Sequence, residues 1–154
     1  MPWGFFVNAT QRQSVDLREF PELVVVYLGM KVIGWRGIKT LAVVGRGITQ
    51  AVAARPEGLL RHEFMFFGPL HVGMRQYWRQ LESLEAFTRA QPHKSWWADF
   101  TRDPAGTGFW HEAYRMRGGM EAIYLNMPGK LGFGSFAPEL DPVGPFVSGR
   151  ERLG

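Results

Sequence analysis

Cysteine is absent from the chain. Disulfides, zinc–thiolate sites, iron–sulfur clusters and thiol nucleophiles are excluded with it. The four histidines, His62, His71, His93 and His111, show no HxH or HxxxH spacing, so no metal site is expected. Lysine and arginine form no run. The net charge of +4 is scattered over strands and turns, which argues against a nucleic-acid partner. The apolar run around Val24 to Val26 is too short to span a bilayer, so no membrane association is expected. Met1 to Asn8 lacks a basic n-region, a long h-region and a cleavage site, and the expectation is a cytoplasmic protein. Neither an internal repeat nor a low-complexity block occurs.

What is present is a chain of 154 residues, 45% apolar and 21% charged, the profile of one globular domain. Aromatics are abundant at 14% and concentrate between Gln76 and Phe100. That stretch begins as a strand ending in Tyr77-Trp78-Arg79. It continues as a helix with Leu81, Leu84, Phe87 and Thr88 at helical spacing. Pro92 restarts a second helical piece with His93, Trp97 and Phe100 on one face. Alternation giving way to a 3.6-residue period marks a strand-to-helix junction.

Leu23 to Met30 is a β-branched strand, apolar on both faces, and Lys31 to Gly34 reads as a loop. Trp35 to Arg55 is a helix whose buried stripe is Ile38, Leu41, Ala42, Gly45, Ile48, Thr49 and Val52. Gly45 on that stripe admits two readings: close helix–sheet packing, or room for a flat ligand. Leu59 to Phe67 and Leu70 to Arg79 form a hairpin across Gly68-Pro69. Thr107 to Met116 and Met120 to Met127 are two further strands around Gly118-Gly119.

The order is strand, helix, strand, strand, helix, strand, then an extra strand. This is the α+β, ferredoxin-like βαββαβ pattern with an extra C-terminal strand. The expected organisation is an N-terminal arm over residues 1–22, the domain over 23–127, and a Gly/Pro-rich tail over 128–154. Two helical layers cover one face of such a sheet. A second copy packed sheet to sheet as a homodimer would cover the other, and the extra strand is a candidate to cross onto it.

The segments YWRQLESLEAFTR, HKSWWADF, GFWHEAY and MEAIYLNMPGKLGFG, in this order and spacing, resemble a small monooxygenase-like family, formerly a domain of unknown function. That family is related to the antibiotic-biosynthesis monooxygenases of the dimeric α+β barrel superfamily. The likeness runs from about Leu23 to Phe136, and its most specific pieces are Tyr77-Trp78-Arg79, Trp110-His111-Glu112 and Asn126-Met127-Pro128. It implies a dimeric α+β barrel with a pocket between sheet and helices. It also implies an oxidative reaction on a small hydrophobic molecule, run either without a cofactor or with haem. In haem-binding relatives a histidine of the corresponding helix ligates the iron, which makes His93 the cofactor-binding candidate. The residues themselves leave His93 open between a haem ligand and a surface histidine beside Pro92.

His111 and Glu112 are strand neighbours and point to opposite faces. With Phe109 on the helix side, His111 is the acid/base candidate, weighed against a hydrogen-bonded core histidine. Trp78 is the aromatic wall of the crevice, or plain core. Asn126 and Arg75 are candidates to steady an oxyanion, and turn chemistry explains Asn126 equally well. The leading expectation is a monooxygenase-like oxidoreductase acting on a hydrophobic or aromatic substrate. The alternatives are a haem enzyme, dehydratase-like or oxidative, with His93 as axial ligand, and a non-catalytic small-molecule binder.

Overall fold

The computed structural model describes residues 15–128, 136, 138, 139 and 148–153. Most of the expected arm and tail, including Trp3, Phe5 and Phe6, lies outside the described residues. Among these the elements are β1 (Val24–Val32), α1 (Arg36–Ala53), β2 (Leu59–Gly68), β3 (His71–Trp78), α2 (Leu81–Arg89), α3 (His93–Arg102), β4 (Thr107–Arg115), β5 (Met120–Leu125) and α4 (Gly149–Leu153). The strands form one sheet in the order β2-β3-β1-β4-β5, and every pairing is antiparallel. Four of them carry the ferredoxin-like order, and β5 is added at the β4 edge. The extra strand therefore pairs within its own chain. Strand β1 also runs further than expected, because Lys31 pairs with His71 and Val32 with Thr107.

The register settles which side chains share a face. Val24, Val26, Leu28 and Met30 of β1 stand beside Trp78, Gln76, Met74 and Val72 of β3. On the other side, Val26, Leu28 and Met30 stand beside Ala113, His111 and Phe109 of β4. This is the helix face. Val24, Val26, Trp78 and Ala113 form the core with Leu81 and Leu84 of α2. Burying such side chains contributes about 1.5–3 kcal/mol each. The opposite face carries Tyr27, Arg75, Tyr77, Trp110, Glu112 and Tyr114.

Helix α1 is rotated relative to the expected stripe. Ile38 is 61% exposed, and Ala42 and Thr49 are also exposed. The buried and half-buried side is Gly37, Thr40, Leu41, Val44, Ile48 and Val52. The N-terminal turn sets this rotation. A Cβ on Gly37 would sit 2.2 Å from the Gly106 carbonyl oxygen, so the backbones meet there without a side chain between them. Thr40 Oγ1 also donates to the Ala105 carbonyl at 3.1 Å. Close packing thus falls to Gly37 and to Gly47, which meets Trp96. Gly45 has no atom within 4 Å of its Cβ position, and open space adjoins it.

Candidate functional site

Trp78 ends β3 on the helix face and is fully buried. Phe87 of α2 packs on it, with ring centroids 5.0 Å apart. His93 follows, 4.1 Å from Phe87 and 4.9 Å from Trp96. Trp96 then closes against Gly47 of α1. An aromatic wall therefore climbs from sheet to helix, with one imidazole inside it. Burial pushes the His93 pKa below its ordinary value, so the ring is neutral at pH 7. Trp97 and Phe100, expected to share the His93 face, instead pack on Phe109 of β4.

His111 faces the helices from the middle of β4. Glu121, across the hairpin on β5, pairs with its Nε2. The two are diagonal neighbours: Ala113 stands opposite Glu121, and long side chains bridge that offset. Arg152 of α4 donates its Nε–H to the other Glu121 oxygen at 2.7 Å. Burial alone would push the Glu121 carboxyl up. The His111 and Arg152 hydrogen bonds and charges outweigh it and hold the group below its ordinary range. In the neutral imidazole, Nε2 donates to the carboxylate and Nδ1 keeps its lone pair. That is the arrangement of a carboxylate-supported base.

The other candidates stand elsewhere. Arg75 is on the opposite face, where it donates to Glu63 at 2.5 Å and 2.9 Å and to the Tyr27 hydroxyl at 3.3 Å. These partners raise its pKa further, Tyr27 and Glu63 first. Asn126 lies past β5 in the left-handed region, φ 54°, and its amide donates to the Thr107 carbonyl at 2.9 Å. Thr107 begins β4, and Trp78 packs at the far end of the sheet. The structure thus gathers Trp78 and His93 in one aromatic wall and sets His111 on the same sheet face. It does not bring Arg75 or Asn126 to them. Glu112 points away from His111, as alternation requires, and accepts from Tyr114 at 2.7 Å and from Tyr124.

Two polar groups on the helix face carry no obvious sequence signature. Gln76, 3% exposed, accepts the Trp78 indole N–H at 3.1 Å. Glu121 was visible only through register: a turn at Gly118-Gly119 aligns it with Ala113. Surface depressions lined by Leu17, Pro21 and Met116, and by Trp35, Lys39 and Ala105, lie away from these groups. Among the described residues no three His, Asp or Glu side chains converge in a metal-binding group. No helix among them is long and apolar enough to cross a membrane.

A family model described as monooxygenase af470-like matches residues 23–133. No curated protein matches the chain. Among solved structures, the aldoxime dehydratase OxdRE in complex with butyraldoxime is similar at 21% identity and a TM-score of 0.52, over 73% of this chain and 33% of that one. A second aldoxime dehydratase is similar at 19% identity and 0.51, over 88% and 41%. SnoaB, a cofactor-independent oxygenase from Streptomyces nogalater, is similar at 18% identity and 0.44, over 60% and 91%. The chain spans about a third to two fifths of the aldoxime dehydratases' length, and at 21% and 19% identity the likeness to those two establishes the fold alone.

Proposed function

The chain belongs to the monooxygenase af470-like family, and from that premise we propose that it is an oxidoreductase inserting oxygen into a hydrophobic aromatic small molecule. The observation that carries this reading is the His111–Glu121–Arg152 arrangement on the helix face. His111 Nδ1 is the base. It takes a proton from a carbon acid or phenol electron-rich enough to pass an electron to dioxygen. Recombination of the resulting pair forms the new C–O bond of a peroxide, and the imidazolium returns its proton to that peroxide. The substrate CH2 group thus becomes CH–OOH, which loses water to give a carbonyl. Overall, CH2 plus O2 gives C=O plus H2O. Phe87, half-buried on α2, offers the apolar side for the ring, with Trp78 packed behind it.

The test is oxygen uptake with a panel of activated aromatic ketones and phenols. The wild type should consume oxygen with at least one, and His111→Ala should lose about 100-fold or more of kcat. Full turnover in His111→Ala would end the assignment.

A haem reading is favoured by one observation, that His93 is neutral through burial and makes no hydrogen bond among the described residues. Its donor chemistry fits an axial ligand, and haem bound there would supply redox or Lewis-acid chemistry. Haemin titration decides it: a Soret band that His93→Ala removes supports the reading, and an unchanged haemin spectrum dismisses it.

We also propose a homodimer through the outer face, which presents Tyr27, Tyr77 and a Phe67 that is 47% exposed. Sedimentation velocity at micromolar concentration should give twice the chain mass.

A further inference from the structure

His62 lies on β2 directly opposite Gln76, on the helix-facing side. The hydrogen-bond chain leading to it determines which ring nitrogen holds the proton. An indole N–H only donates, so Gln76 Oε1 is the acceptor of Trp78 Nε1 at 3.1 Å. The amide is thereby oriented, and its nitrogen lies 3.5 Å from His62 Nδ1. An amide nitrogen does not accept, so a hydrogen bond here makes Nδ1 the lone-pair nitrogen, while the same amide also donates to Met74 Sδ at 3.5 Å. The neutral ring then carries its proton on Nε2. That atom is buried and has no hydrogen-bond partner among the described residues. Burial holds the His62 pKa below its ordinary value, against a smaller opposing pull from Glu63. The surroundings are apolar: Phe64 meets the ring edge-on at 4.7 Å, and Phe64 pairs with Met74.

A buried donor without a partner calls for one acceptor. We propose that His62 Nε2–H is the hydrogen-bond donor for the carbonyl oxygen of an uncharged aromatic ketone bound on the helix face. Gln76 is then a positioning residue that fixes the tautomer, and Trp78 fixes Gln76. The inference rests on the reading that this face binds a small aromatic molecule, and it adds the functional group that the molecule must carry.

The experiment compares two probes of similar shape, 2-acetylnaphthalene and 2-isopropylnaphthalene, by calorimetric titration of the full chain. The wild type should bind the ketone about tenfold more tightly, as one neutral hydrogen bond predicts. His62→Phe should bind both equally, with the hydrocarbon affinity retained. Equal binding of the two probes by the wild type would overturn the His62 role and leave the aromatic site standing. Binding of neither would overturn both. Should His62→Phe fail to fold, nitrogen-15 NMR of the wild type gives the answer. Protonated Nε2, with a resonance moved by the ketone and not by the hydrocarbon, supports the proposal. Protonated Nδ1 overturns it.

Discussion

An imidazole beside a carboxylate is held in one orientation by it, and Glu121 does this for His111. Glu121→Gln keeps the size but replaces an acceptor-only group with one that also donates. The expected result is a fall in kcat, smaller than that of His111→Ala, with KM little changed, read by steady-state oxygen uptake. His93 makes a different prediction. Its folded pKa lies below 6.5, so the unfolded chain binds the proton first as pH falls. Its contribution is fully present above pH 6.5 and is lost as pH falls through the folded value. His62 acts with the same sign. The melting temperature should therefore drop between pH 7.5 and pH 5.5, and His93→Phe should reduce that drop. An identical drop in the variant would remove His93 from the account.

Helix α1 shows how packing overrides a stripe read from the sequence. Its glycines have three different environments, and alanine at two of them, Gly45 and Gly37, tests the contrast. Gly45 has free space, so Gly45→Ala should stabilise by about 1 kcal/mol through helix propensity. At Gly37 the new Cβ would meet backbone, and a loss of about 1–3 kcal/mol is expected. Chemical denaturation of the two variants should move the midpoint in opposite directions. Most strands and helices were legible, LVVVYLGM as a β-branched run of strand length and YWRQLESLEAFTR by its change of period. The rotation of α1 was not, because it is set by Gly106, remote in sequence. Which face His111 takes was not legible either, because alternation separates it from Glu112 without saying which of them meets the helices; its register with Leu28 decides that. Nor was its partner Arg152, since no periodic pattern in the tail places α4 on β5.

On the scale of the whole molecule, α4 fastens the end of the chain to two layers at once. Arg150 pairs with Glu82 and Glu85 of α2, and Arg152 pairs with Glu121 of β5. These are unequal contacts. The Arg150 pairs are solvent-exposed on the arginine side, and Arg150→Ala should change stability little. Arg152 and Glu121 are 13% and 2% exposed. Arg152→Met leaves a buried carboxylate with His111 as its remaining described partner. A loss on the order of 2–3 kcal/mol is expected, just under the roughly 3–5 of a fully broken buried pair. Urea denaturation measures both.

The same fastening orders events during synthesis. β1 is made early but stays open along one edge until β4 emerges to flank it. Arg152 leaves the ribosome after every other side chain the site uses. A nascent chain can complete its sheet and stack its aromatic wall while Glu121 still lacks that cation, so the base is oriented only once α4 has emerged and docked on β5.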